Sequence, residues 1–487
     1  MRPLVTALVV AALLVVARPH DADKRVATLA GAQRKALATL TGVYYDGVGG
    51  WRACDAPGCP VGDSDWGDDS LTYTLFLAAT DAHDQRAVQS LSALAANAPQ
   101  YPASCDQPAT CMWSDTAEWD AVALADEYQA TGDPNALAKA QAAFSYVNRS
   151  TVFAGGACPS IPYQKPAGGL NHLKTLETEA NAIKAAILLY RDTNDPAYLS
   201  SALAGYQAAR SYFLDSVVPL YTVYVFDRGQ GCRQLRHRFF ASVNGDMIWS
   251  GVALAQITGQ PTYLAQAVAT AEAVQRDLSD ARGVYADLQA ENDIVEPLVE
   301  GMDALARRDQ QVGLQWLLTN AAAAVSARTH DGSFGRFFDG PPPPSTVTAW
   351  QTNGGLSLEI AAASLAPETA VQSPMPWVGA RRVPHQLREL PGAIRFAGAG
   401  IAVFGTLGER CCESGHATVL VDGRQTFDWS GIWQNKTSLH QSIANTILFA
   451  WRWPHAGRHT LMFLPGSTDA KEGSSFLHLT GYQVLRP

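Results

Sequence analysis

Long runs of like charge are absent from this chain. Its 36 basic and 45 acidic residues leave a net charge of -9 and are dispersed along the sequence, which argues against nucleic acid or an anionic lipid surface as partner. A neutral or weakly polar ligand fits better. Beyond the first residues there is no uninterrupted apolar stretch of membrane-spanning length. No Cys-x-x-Cys pair recurs and no histidine stands at ligand spacing beside the cysteines, so neither a metal nor a cofactor is expected. With 47% apolar and 17% charged residues among 487, the chain is too apolar for disorder and long enough for a large core in more than one domain.

The first residues read as an address. Arg2, the apolar run Leu4–Val16 and the small residue Ala17 two positions after Val15 predict a signal peptide over residues 1–22, with an uncleaved anchor as the second choice. The mature protein is then expected to be secreted and free of the membrane. Export fits the eight cysteines, which pair by proximity as Cys54 with Cys59, Cys105 with Cys111, the more distant Cys158 with Cys232, and the adjacent Cys411 and Cys412. Structural disulfides are expected. No feature sets an oligomeric state.

From about Asp65 to Ala366 one pattern repeats: an Ala/Leu-rich helix, a short break, and a second such helix. The breaks align at Asp81, Asp133, Asp195, Gln260 and Asp309. Three are followed by Pro134, Pro196 and Pro261, each at a helix start where the missing N–H costs nothing. Segments such as Thr178–Arg191 are apolar nearly all round, as a helix sandwiched between two layers must be. About six hairpins over residues 23–366 predict an all-α (α/α)6 toroid, with an open solenoid as the alternative. In the closed form the inner helix starts gather at one end around a central cleft.

The pattern changes after Leu365. Residues 367–391 read as a Pro-rich linker, and residues 392–487 as an all-β sandwich of the jelly-roll type, from short alternating segments at 394–396, 401–404, 417–421, 425–429, 446–453, 460–464 and 477–484. Asp422-Gly423 is a hairpin turn signal.

Unusual residues head the inner helices. Trp66-Gly-Asp68-Asp69 opens one. Trp113-Ser-Asp115-Thr-Ala-Glu118-Trp119-Asp120 opens the next, where Asp115 and Glu118 at i and i+3 share a face. Paired carboxyl groups and aromatic faces are what glycosidic-bond cleavage uses, although Ser114 and Asp115 also suit plain capping. A third segment runs from Gly155-Gly156 through Tyr163-Gln164 to His172, Lys174, Glu177 and Glu179. Helix-dipole stabilisation accounts for the two glutamates but not for His172 or Lys174. Asn244-Gly245-Asp246 heads a fourth helix, where simple capping is favoured, and Asp331-Gly332 marks a late turn.

In order and interval these segments resemble glycoside hydrolase family 76, the secreted (α/α)6 endo-α-1,6-mannanases. The family's paired aspartates correspond to Asp115-Thr116, its Gly-rich aromatic turn to Gly155-Gly156 with Ile161-Pro-Tyr163, its Lys-Asn helix start to Lys174-Thr175, its Tyr-Asn-Gln-Gly start to Val243-Asn244-Gly245, and its late turn to Asp331-Gly332. The second aspartate is Thr116 here, which transfers no proton at a useful pKa. The resemblance implies Asp115 as nucleophile or base; with Thr116 in the second position, either catalysis is lost or another acid substitutes, for which Glu179 or Glu177 is expected, with Glu118 as a further carboxyl. Asp68, Asp69, Trp113, Trp119, Tyr163, His172, Lys174, Asn244 and Asp246 are the expected substrate contacts. The C-terminal segments at 400–405, 417–423 and 456–461 resemble galactose-binding-like jelly rolls, which makes Trp429, Trp433 and Gln434 candidate sugar contacts. Trp451, in an apolar strand, is expected in the core.

The expected function is a secreted, endo-acting glycoside hydrolase that cleaves a mannan-like or other neutral polysaccharide. A non-catalytic glycan-binding protein on the same scaffold is the alternative. A toroidal lyase or unsaturated-uronide hydrolase is a third reading, against which the acidic net charge speaks.

Overall fold

The structure, a computed structural model, describes residues 27–62, 66–227, 231–235, 238–286, 295–371, 377, 382–387, 391–407, 417–425, 431–432, 443–465 and 479–486. The expected signal peptide, Cys411, Cys412, Trp429, Trp433 and Gln434 lie outside these residues.

Twelve helices of eleven residues or more are present among them: α1 Leu29–Thr39, α2 Trp66–Thr80, α3 Gln85–Asn97, α4 Ser114–Thr131, α5 Pro134–Arg149, α6 Leu176–Thr193, α7 Pro196–Tyr212, α8 Ala241–Thr258, α9 Pro261–Asp277, α10 Glu296–Ala306, α11 Gln311–Ala324 and α12 Ala349–Leu365. The breaks fall where local chemistry demands. Helix α4 ends on Gly132 in the left-handed region at φ 71°, a conformation that favours glycine. Asp133 then accepts from the Asn135 amide at the head of α5, with Pro134 in the first turn. Asn194, Asp195 and Pro196 repeat the device between α6 and α7.

Helices α2, α4, α6, α8, α10 and α12 pack each against the next, and α12 returns to α2, so the inner ring closes. The outer partners are α3, α5, α7, α9 and α11, with α1 against α12. The sixth outer helix therefore precedes the repeat that begins near residue 65. Two-residue strands Ala27–Thr28 and Ala370–Val371 pair antiparallel at this seam, and the Leu29 amide bonds Thr369 O at 3.1 Å. Inner helices such as α6 bury Ala180, Ile183, Ala185, Ala186, Ile187, Leu188 and Leu189, contacts made on both sides of a helix held between two layers.

Among the described residues the C-terminal strands are joined by hydrogen bonds into one antiparallel sheet. The predicted pairs 394–396 with 401–404, and 446–453 with 460–464, merge into two long strands, Gly392–Leu407 and Ile443–Pro465. Register shifts, one between Arg452 and Gly457, let these strands bend while the ladder continues. Trp451 is buried as expected. The sheet docks on the α11–α12 connection, to which Arg282 of the α9–α10 connection is joined through Asp339 at 2.9 Å. Buried Arg452 donates to Asp339 O at 2.7 Å and pairs with its carboxylate at 3.1 Å, Trp377 Nε1 donates to the same carbonyl, and Phe337 meets Phe449 edge-on. These connections lead into inner helices, so the sheet sits at the end of the ring where those helices begin.

No helix among the described residues is long and apolar enough to cross a membrane. Disulfides join Cys54 to Cys59, Cys105 to Cys111 and Cys158 to Cys232, as three of the four predicted pairs require.

Candidate active site

The ring axis is a stack of interacting side chains from five inner helices. Tyr73 of α2 stacks on Trp119 of α4 with centroids 5.4 Å apart. Lys184 of α6 lies over Tyr73 at 4.8 Å and Trp249 at 5.5 Å, and pairs with Asp246 of α8 at 3.5 Å and with Glu300 of α10. Burial opposes the charge on Lys184, but Glu300, Asp246 and Asp126 outweigh it and hold the lysine protonated. The carboxyls are shifted upward as well, toward their neutral forms. Burial raises Asp246 to about 6, and burial with Glu300 alongside pushes Asp126 and Glu296 well above the carboxylate range.

Helical periodicity identifies what stands above this stack. Asp69 precedes Tyr73 by four residues, Asp115 precedes Trp119 by four, and Glu177 precedes Lys184 by seven, so each shares the axis-facing side of its helix, one or two turns nearer the N-terminus. All three are largely buried. Asp115 is fixed by Gln164, whose Nε2 donates to Oδ2 at 2.6 Å, and by the Thr116 amide at 3.0 Å. The same loop secures the helix head, because the Ser114 hydroxyl donates to Tyr163 O at 2.9 Å and meets Thr178 Oγ1 of α6 at 3.0 Å. Inner helix N-termini converge here, and their dipoles favour ionised carboxylates. Asp69 and Thr116 also border a hollow of about 290 Å³ with Asp68, Asp120 and Met112.

Around this end, Trp113 is 39% exposed, with Lys165 Nζ 4.3 Å from its ring centroid. His172 is exposed and meets Tyr163 edge-on at 5.7 Å. These side chains are accessible to a ligand.

Four expected substrate contacts have structural duties instead. Trp119 belongs to the axial stack. Lys174 is fully buried, donating to Gly155 O at 2.6 Å and Cys158 O at 2.7 Å and pairing with Asp227 at 3.3 Å. It ties the Gly-rich loop to a small sheet of Leu173–Thr175, Tyr224–Asp227 and Cys232–Gln234, to which the Cys158–Cys232 bridge is added. Asn244 is saturated by the Tyr221 amide and by the Tyr221 and Phe240 carbonyls. Asp246 is the axial partner of Lys184.

The glutamates also divide differently from expectation. Two residues apart on a helix is a rotation of about 200°, so with Glu177 on the axial face Glu179 faces the outer layer. There it meets Glu118 rather than Asp115, and both border a hollow of about 240 Å³ between α4, α6, α5 and α7. Burial raises Glu179 to about 8, with Lys174 pulling the other way. Burial and then Glu179 push Glu118 well above the usual range.

Sequence reasoning missed Asp126, Lys184, Glu296 and Glu300. A signal was present: Glu296, Glu300 and Asp303 recur at i, i+4 and i+7 in an otherwise apolar helix, an acidic stripe that only a polar axis explains.

No family model matches the sequence, and no curated protein matches it. Among solved structures, the chain is similar to an inactive variant of an α-1,6-mannanase of glycoside hydrolase family 76 from Salegentibacter sp. HEL1_6, in complex with α-1,6-mannotriose. The identity is 19% and the TM-score 0.60, over 69% of this chain and 99% of that one. The family 76 α-mannanase BT2949 of Bacteroides thetaiotaomicron is 18% identical with a TM-score of 0.57, over 69% and 96%. Cellobiose 2-epimerase of Bacillus thermoamylovorans B4167 is 13% identical with a TM-score of 0.52, over 68% and 98%. The helical ring thus has the fold of the family 76 α-mannanases, at an identity that establishes fold alone.

Proposed function

We propose that the protein is a glycoside hydrolase, cleaving a neutral polysaccharide by two-carboxyl chemistry at the mouth of the ring. The observation that carries this reading is the placement of Asp69, Asp115 and Glu177 on the axial faces of three neighbouring inner helices, with Asp115 held by Gln164.

Asp115 suits the ionised role, nucleophile or base, because an N-terminal helix position and a donated hydrogen bond both favour the carboxylate. The proton donor comes from a neighbouring helix. Asp69 borders the same hollow as Thr116, so a carboxyl group stands beside the position that departs from the family's aspartate pair. Glu177 flanks Asp115 from the other side. Exposed Trp113 offers a face to the C–H surface of a sugar ring. Family 76 structures with mannan oligosaccharides make α-1,6-linked mannan the first substrate to try, and the three disulfides fit work in an oxidising, extracellular setting.

Reducing-sugar release from mannans, arabinans and galactans tests the reading. Turnover of at least one glycan is expected, lost in Asp115→Asn and Asp69→Asn, lowered in Glu177→Gln and retained in Glu179→Gln. Binding without turnover across the panel would reject the hydrolase in favour of a glycan-binding protein.

A further inference from the structure

Glu118 and Glu179 form a second carboxyl pair that the axial site does not use. Glu118 is fully buried, borders the hollow between the inner and outer layers, and has no hydrogen-bond partner for either oxygen among the described residues. Leaving such a group unsatisfied costs stability, and an apolar residue would pack there more favourably. The hollow opposite the pair is built of mixed surfaces. Phe153, Ile161 and Pro162 supply apolar wall, Ser160 and Ser201 supply hydroxyls, and Ala204 and Gly205 on α7 keep the outer side open. A Cβ on Gly205 would lie 2.7 Å from Glu179 Oε1, so the missing side chain is what lets the carboxyl extend there.

At about 240 Å³ the space is below the roughly 300–1,000 Å³ typical of drug-sized ligands, and suits one ring. Burial raises both groups, so near neutral pH the pair is protonated. A protonated carboxyl both donates and accepts hydrogen bonds, which matches vicinal hydroxyls, whereas a cationic ligand requires a carboxylate. Phe153 and the prolines suit a sugar's C–H face.

We infer that the hollow between the layers is a second ligand site, taking a single neutral sugar unit whose vicinal hydroxyls bond Glu118 and Glu179. It lies off the axis and borders none of Asp69, Asp115 or Glu177. The choice of a sugar rests on the glycan reading, and the test separates the two.

Saturation-transfer NMR on the full chain, with methyl mannoside, methyl glucoside and methyl galactoside as probes and ethanolamine as the cationic comparison, reads the site directly. At least one glycoside is expected to give transfer in wild type and in Asp115→Asn, with affinity reduced tenfold or more in Ser201→Phe and in Glu118→Leu/Glu179→Leu. The double variant is expected to melt higher than wild type, which establishes that it folds. Loss of transfer in Asp115→Asn would place the binding at the axial mouth and overturn the inference. So would transfer that persists in Ser201→Phe, binding of ethanolamine alone, or no transfer in wild type. Failure of this site leaves polysaccharide turnover, and its loss in Asp115→Asn, unaffected.

Discussion

Gln164 donates to Asp115 Oδ2 at 2.6 Å, and this bond joins the Gly-rich loop to the head of helix α4. A hydrogen bond to a charged group contributes about 1.5–3 kcal/mol. Because Ser114 anchors the same loop independently, Gln164→Ala is expected to keep the fold while freeing the carboxylate. The result should be a kcat lower by about tenfold or more, with a far smaller change in KM and an unaltered circular dichroism spectrum. Unchanged kcat would remove Asp115 from the reaction.

Lys184 balances the axis. Replacing it with Met leaves Asp246 and Glu300 buried without their cation, and breaking a buried pair from one side costs about 3–5 kcal/mol. Denaturant unfolding of Lys184→Met should show that loss. Adding Glu300→Gln to the variant should restore part of it, since one of the stranded charges is then removed. A single variant as stable as wild type would mean that the axis is not the ion cluster described.

The ring was legible in the sequence because its punctuation is local. Gly132, Asn194 and Gly259 stop helices, and Pro134, Pro196 and Pro261 restart them, through the conformation of one or two residues. Asp115 was legible for the same reason, as a carboxylate at the head of an inner helix. Which glutamate of α6 faces the axis was not, because a helix buried on both sides carries no polar face to orient it, and Glu177 and Glu179 differ only by their rotation about it. The orientation is set by Lys184 reaching Glu300, 116 residues away. Lys174 misled because burial and three oxygen partners are properties of the fold, not of the residue type. In the sheet, the register shift after Arg452 joins two segments across a stretch that reads as a loop.

Gly245 marks a close approach that its sequence neighbours disguised as a polar motif. A Cβ there would lie 2.3 Å from the backbone of Pro297 and Leu298, so α8 and α10 touch through main chain. Gly245→Ala should therefore destabilise by about 1–3 kcal/mol, as overpacking does, despite the better helix propensity of alanine. Thermal unfolding reads this, and a higher melting temperature would show that the two helices have room to separate.

Glu179 makes stability depend on pH in a direction opposite to that of a salt-bridged acid. Its pKa is raised from 4.5 to about 8 by burial, so the folded state holds a proton that the unfolded state releases, and stability falls as pH climbs from about 4.5 to about 8. Below that window both states are protonated and the penalty vanishes. Glu179→Gln removes the ionisation, so it should be more stable than wild type at pH 8, on the order of 2–4 kcal/mol, with the gap closing toward pH 4.5. Glu118 remains in the variant and keeps its own part of the slope, which makes the difference between the two unfolding curves, not either curve alone, the measure of Glu179. A gap that is constant with pH would show that Glu179 reaches solvent, and that the hollow it borders is open enough to ionise both glutamates.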